Sequence, residues 1–242
     1  MKLPNLVTLK GAARKGRDAI WGVGNSLYRV VRRPVPGEFQ PYYYTRADRY
    51  PWLFGFAATR LGSRQNQRPD MRILSFGCSR GEEVFSLLEY FPSAAIKGID
   101  IHPRNIARCL ARARAEGPAN VTFEIAATTK GEPTSAYDAI FCLAVLVNGD
   151  LTTSKAQRCD PVLHFETFDR MVGDFARCLK PGGLLVLHTT NFRFCDTAVA
   201  GDFDVVFEAD PQHLAPDVLF DRNNRLMSGE RERYRAVAFQ KR

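Results

Sequence analysis

The chain has 242 residues, 45% of them hydrophobic and 25% charged, with a net charge of +8; these proportions fit a globular α/β domain with extensions and exclude an intrinsically disordered chain. No apolar run approaches the roughly 20 residues of a membrane-spanning helix, and the opening MKLPNLVTLKGAARKG lacks the continuous apolar core of a secretory signal. Six scattered cysteines without a CxxC pair argue against a metal or disulfide framework, and for reduced thiols in a cytoplasmic protein.

In chain order, residues 1–33 come first, with eight cationic side chains against Asp18 alone, a net of +7 that leaves the remainder nearly neutral. Such an arm suits an anionic membrane surface, a nucleic acid or an acidic partner, or it is a solvated tail or a cap on the domain. Leu6, Ile20, Trp21 and Val30 give it a helical apolar face, which Gly11, Gly16, Gly22 and Gly24 interrupt. An Arg-rich, acid-poor start also leaves an organellar transit peptide open. Pro34-Val35-Pro36-Gly37 breaks the chain there. The expected division is a basic arm over residues 1–40 and one ligand-binding domain over 41–242.

Pro51 opens a helix that runs through Leu61, and a polar linker over residues 62–70 follows. Ile73 to Phe76 read as a buried strand, Gly77-Cys78-Ser79-Arg80-Gly81 as a tight turn, and Glu82 to Phe91 as a helix with acids in its first turn. A second strand, Ala95 to Ile99, ends at Asp100. Pro103 to Glu116 form a helix, Val121 to Ala126 a third strand and Tyr137 to Leu143 a fourth. The polar stretch from Asn148 to Pro161 reads as a long irregular loop. Phe165, Phe168, Val172, Phe175 and Leu179 repeat at helical spacing, with Lys180 at the helix end and Pro181-Gly182-Gly183 as the stop. The fifth strand is Leu184 to His188. Phe203 to Phe207, Val218 to Phe220 and Tyr234 to Phe239 are further strand-like pieces. The alternation predicts a parallel, doubly wound sheet with its ligand at the carboxyl ends of the strands.

Strand, glycine turn, helix, strand and terminal acid form half of a nucleotide-binding unit, the acid following by about 20 residues to accept ribose hydroxyls. A dinucleotide fingerprint wants G-x-G-x-x-G, but Ser79 and Glu82 occupy its later glycine positions. Glu82 and Glu83 would repel a pyrophosphate from a helix N-terminus that otherwise favours anions. A phosphate-free cofactor with a sulfonium and an amino-acid end tolerates those acids, and S-adenosylmethionine is such a cofactor.

ILSFGCSRGEE, then GID, then YDAIFCLAVL and LKPGGLLVLHTTN together resemble the class I S-adenosylmethionine-dependent methyltransferases over about residues 50–240. Within that superfamily, Gly-Cys-x-x-Gly-Glu-Glu is most similar to the chemotaxis-receptor glutamate methyltransferases, and Tyr43 to Pro51 echo their upstream cofactor segment. The resemblance implies an α/β fold with a doubly wound, mostly parallel, seven-stranded Rossmann-like sheet. The family's helical N-terminal substrate domain is absent or reduced to the arm, which the charge and apolar pattern give as a basic helical N-terminal extension. It also implies a cofactor cleft at Phe76, Gly77, Cys78 and Gly81, with Cys78 as packing. Asp100 would take the ribose, Ile101 the adenine and Glu83 the methionine end. Arg46 or Arg49 would meet the cofactor carboxylate, and Leu143, Ala144 and Val145 would flank the transferred methyl. The chain departs from the superfamily in having Ser75 where many members carry an acid. Ala126-Ala127-Thr128 stand where an acid often meets the adenine amine. His164 and His188 are the candidates for a general base, although a structural histidine is the commoner case. The expected activity is methyl transfer to oxygen or nitrogen of a small-molecule acceptor held by Tyr42 to Tyr44, residues 148–164 and Asn191 to Phe194. A protein carboxyl methyltransferase, a nicotinamide-dependent oxidoreductase and a non-catalytic cofactor-binding module are the alternatives.

Overall fold

The computed structural model describes residues 38–40, 45–62, 70–229 and 233–242. The basic arm through residue 37, Tyr42 to Tyr44 and nearly all of the polar linker lie outside the described residues. The chain divides into two compact units, Met1–Pro36 and Gly37–Arg242, and the described residues belong to the second.

Seven strands form one sheet in the order β3-β2-β1-β4-β5-β7-β6. They are β1 (Arg72–Phe76), β2 (Ala95–Asp100), β3 (Val121–Ile125), β4 (Tyr137–Leu143), β5 (Leu179–His188), β6 (Phe203–Glu208) and β7 (Ala236–Lys241). The five strands from β3 to β5 pair in parallel, while β7 runs antiparallel to both β5 and β6. The helices are α1 (Pro51–Arg60), α2 (Glu82–Tyr90), α3 (Pro103–Glu116), α4 (Gly149–Thr153) and α5 (Phe165–Cys178). This is the doubly wound α/β sheet expected from the sequence.

Side chains alternate between the two faces of each strand, and both faces are covered. Leu74, Phe76, Ile140 and Cys142 pack with Phe168, Val172 and Phe175 of α5 on one face. Ile73, Ala139, Phe141 and Leu143 pack with Leu53 and Phe54 of α1 and Val84 and Leu87 of α2 on the other. Every residue of β4 is buried, as suits a central strand. The chain leaves β1 for β2 on one side and returns to β4 on the other. A crevice therefore opens at the carboxyl ends of β1 and β4.

Three elements differ from the expectation. Helix α5 ends at Cys178, and Leu179 is already extended and paired with Tyr137. Pro181 explains this, because a residue preceding proline is pushed out of the helical region, so Lys180 cannot prolong the helix. The four residues from Lys180 to Gly183 bulge out before Leu184 pairs with Ala139, and the Lys180 ammonium meets Asp138 at 2.7 Å. Within the expected loop over 148–161, Asn148 caps the five-residue α4 by accepting from the Asp150 N–H at 3.1 Å. Val218 to Phe220 form no strand; one antiparallel bridge joins Phe220 to Leu226 around the turn at Asn223 and Asn224.

That turn supplies a cap that its host helix lacks. His164 gives α5 no side-chain cap, but Asn224 Oδ1 accepts the Phe165 N–H at 2.8 Å from 59 residues away. Asn224 sits at φ 62°, a left-handed conformation that asparagine tolerates and alanine resists. Asn224→Ala is expected to lose the cap and strain the turn, about 2 kcal/mol together. A thermal melt should show this as a fall in Tm of roughly 4–8 °C.

Candidate functional site

The turn after β1 is held from beneath by β2. The N–H groups of Gly77 and Cys78 both donate to the Ile99 carbonyl, at 2.8 and 2.9 Å. Three residues of the turn have positive φ: Gly77 at 72°, Ser79 at 51° and Gly81 at 90°. Gly77 faces Val145 at the end of β4, and a Cβ added there would lie 2.4 Å from the nearer Val145 methyl. Gly77→Ala is therefore expected to push Val145 into the cleft and to reduce S-adenosylhomocysteine affinity by at least about tenfold. The left-handed conformation adds about 1–2 kcal/mol of destabilisation; calorimetry and a melt measure the two effects separately.

Asp100 ends β2 and fastens this turn. Its Oδ2 accepts the Ser79 N–H at 2.9 Å, and its Oδ1 accepts the His102 N–H at 2.8 Å and the Asn105 amide at 3.1 Å. Burial raises the Asp100 pKa, and these donors pull it partly back. The carboxylate is thus both a wall of the crevice and the clamp on the left-handed Ser79. His102 Nε2 in turn lies 2.7 Å from Glu38 Oε1, which brings residues 38–40 to this side of the crevice. Cys78 is buried, its thiol pKa pushed well up by the neighbouring Cys109 thiol and by burial, so it packs and does not act as a nucleophile.

On the other side of the turn, the Ser75 hydroxyl donates to Glu83 Oε1 at 2.8 Å. Burial lifts the Glu83 pKa to about 7, against the opposing pull of Ser75 and Arg49. Arg49 stacks over the Tyr50 ring at 4.9 Å, and the Tyr50 hydroxyl, hydrogen-bonded by Thr189, has its pKa raised by burial. Upstream, the Asp48 N–H donates to Ser86 and the Tyr90 hydroxyl donates to Asp48, which ties this segment to α2.

Many of these groups line one crevice. Phe76, Gly77, Cys78, Glu83, Asp100, Ile101, Leu143, Ala144 and Arg46 all contribute to its wall, with Arg49 and Val145. Gly81 does not; it caps α2, and a Cβ there would press 3.1 Å from Phe85 and Cys109. Neither candidate base reaches the crevice wall. His164 is exposed at the head of α5. His188 is buried behind the rings of Tyr50 and Trp52, with centroids 5.1 and 5.4 Å away.

The expected acceptor wall also moves. Asn191 is structural: its Oδ1 accepts the Asn148 N–H and its amide donates to the Val218 carbonyl. Phe192 and Phe194 are core residues, and no residue of 148–164 lines the crevice. In their place stand Phe39, Gln40, Tyr50, Phe54 and Met171, with Ala126 and Ala127 beyond β3. Met171 and Phe54 sit on apolar helix faces that look like plain core in sequence. Phe39 and Gln40 belong to a segment without periodicity.

The wall fits S-adenosylmethionine by the chemistry of its groups. Glu83 offers a carboxylate to an ammonium, Arg46 and Arg49 offer cations to a carboxylate, and Asp100 stands where ribose hydroxyls would meet it. Ser79 Oγ and Gln40 Oε1 are buried in the wall without a hydrogen-bond partner among the described residues. A pyrophosphate would meet the Glu83 carboxylate. Among the described residues no group of three or more His, Cys, Asp or Glu could hold a metal ion.

Residues 67–228 match a family model described as a methyltransferase domain. No curated protein matches the chain. Among solved structures, the YcgJ protein of Bacillus subtilis is 20% identical with a TM-score of 0.42, over 60% of this chain and 52% of its own. Geranyl diphosphate C-methyltransferase of Streptomyces coelicolor, solved with Mg2+, geranyl-S-thiolodiphosphate and S-adenosyl-L-homocysteine, is 17% identical with a TM-score of 0.41, over 56% of this chain and 42% of its own. A SAM-dependent methyltransferase from Aquifex aeolicus is 16% identical with a TM-score of 0.38, over 57% and 66%. The chain thus spans about half the length of the first two. At these scores the likenesses carry nothing about an acceptor.

Proposed function

The chain belongs to the methyltransferase-domain family, as an S-adenosylmethionine-dependent enzyme of class I, and from that premise we propose that it methylates oxygen or nitrogen of a small-molecule acceptor. The observation that supports a small acceptor is the wall around Leu143, Ala144 and Val145. Tyr50, Phe54 and Met171 line the same crevice, so an acceptor atom would enter among apolar and aromatic side chains. Small ligands are bound in such largely apolar crevices with few polar groups.

When bound, S-adenosylmethionine supplies an electrophilic methyl group on a sulfonium. The chain's own contribution is positioning. Glu83, Arg46 and Arg49 would hold the amino-acid end and Asp100 the ribose, and Gly77, having no Cβ, leaves Val145 in its place at the end of β4. Leu143 to Val145 and the Tyr50 ring exclude water at the strand end. Among the described residues the wall carries His102 on the β2 side, beside Glu38, and no histidine next to Leu143 to Val145, which suits an acceptor that is deprotonated or already nucleophilic at neutral pH.

The test incubates the protein with methyl-labelled S-adenosylmethionine and a fractionated cell extract. Label in low-mass products is the expected result. Base-labile label on protein would instead favour carboxyl methylation, the activity that the Gly-Cys-x-x-Gly-Glu-Glu turn brings to mind. Absence of S-adenosylhomocysteine binding at millimolar ligand would overturn the cofactor assignment itself.

A further inference from the structure

The crevice has a polar side chain that the cofactor assignment has not used. Ala126 and Ala127, the residues that follow β3, line it but offer no side-chain acceptor. Gln40 lines the same crevice, and its Oε1 is buried without a hydrogen-bond partner among the described residues. A buried amide oxygen lacking a donor is costly, and such atoms in a binding crevice are commonly satisfied by the ligand.

The segment that carries Gln40 is fixed on the β2 side. Glu38 is paired with His102 at 2.7 Å, and the His102 N–H is itself held by Asp100 at 2.8 Å. Phe39 is 6% exposed and belongs to the core cluster of Phe76 and Ile99, against which Ala126 also packs. Ion pair and buried ring anchor the two residues before Gln40, so Gln40 enters the crevice wall from a segment tied to the end of β2. Asp100 and Ile101 mark that end as the adenosine side, and Glu83 with Arg49 mark the other as the amino-acid side.

We infer that the Gln40 carboxamide reads the adenine amino group of the cofactor, in place of an acid on the segment after β3. The inference rests on S-adenosylmethionine occupying this crevice. It gives Glu38 and Phe39 a purpose in presenting Gln40, and it explains how bare alanines after β3 remain compatible with adenine selection.

The test compares calorimetric affinities for S-adenosylhomocysteine and for its analogue with hydrogen in place of the 6-amino group. The wild type is expected to prefer the amino form by about tenfold, the worth of one hydrogen bond. Gln40→Leu should bring the two affinities within about twofold, while Gln40→Glu, which retains an acceptor, should keep the preference. Thermal melts establish that both variants fold. An unchanged preference in Gln40→Leu, or an equal loss for both ligands, overturns the inference while leaving the cofactor assignment intact. A wild type that binds neither ligand overturns both.

Discussion

Asp100→Ala and Asp100→Asn are both expected to lower S-adenosylhomocysteine affinity by on the order of 100-fold, with the asparagine variant nearly as impaired as the alanine one. The reason is that both carboxylate oxygens accept backbone N–H groups, Oδ2 from Ser79 and Oδ1 from His102. An asparagine would aim its amide group at one of these donors, leaving two donors face to face. Ser79 would then lose the contact that steadies its φ of 51°. The stranded donors cost about 2–3 kcal/mol of stability, given roughly 1–3 kcal/mol for a buried unpaired group. The Tm should fall by roughly 5–10 °C. Calorimetry of the asparagine variant is decisive, since wild-type affinity would show that the negative charge and paired acceptors are dispensable.

Glu83 should make cofactor affinity and fold stability respond to pH in opposite directions. Its folded pKa of about 7 lies above the ordinary 4.5. The protonated carboxyl therefore stabilises the fold fully below about pH 4.5, and that stabilisation is lost as pH rises through about 7. The amount is about 3–4 kcal/mol, from about 1.4 kcal/mol per pKa unit. An ammonium needs the ionised form, so affinity for S-adenosylhomocysteine should climb close to tenfold per pH unit below 7 and flatten above it. Glu83→Gln keeps a partner for Ser75 but loses the charge. It should bind at least about tenfold more weakly at pH 8, show a flat pH profile, and no longer destabilise the ligand-free protein between pH 5 and 8. A quadratic fall in affinity at low pH, or an unchanged profile in the glutamine variant, would assign the titration elsewhere.

The parts of this molecule legible in sequence are those that local chemistry dictates. Ile73 to Phe76, the glycine turn and the acids behind it carry strand, turn and helix signals within a dozen residues, and β4 is apolar throughout. Asp100 could be placed because the strand–turn–helix–strand spacing is fixed by geometry. What escaped is long-range. Gln40 and Phe39 join the crevice through an ion pair between Glu38 and His102, 64 residues apart. Asn224 caps a helix from a distant turn, and Asn191 spends its amide on the backbone of two other segments. His164 and His188 were attractive for their residue type and their positions at element ends. Ring contacts bury one behind the wall, and the helix direction leaves the other in solvent. The end of α5 departs from the periodicity for a local reason: Pro181 constrains Lys180 before Gly182 and Gly183 can act as the stop.

The position of β7 has a consequence for the order in which the molecule is made. Among the described residues, those of the crevice wall lie between Glu38 and Met171, whereas β5 waits for β7, the last strand in chain order, to pair with its outer edge. During synthesis, earlier segments fold before later ones emerge. A nascent chain can therefore assemble the cofactor crevice while Leu184 to Val186 still present an apolar, unpaired edge. Such an edge is a template for pairing between copies. A chain interrupted before Ala236 would retain the described crevice residues and yet carry the unpaired edge, so solubility would fail ahead of recognition.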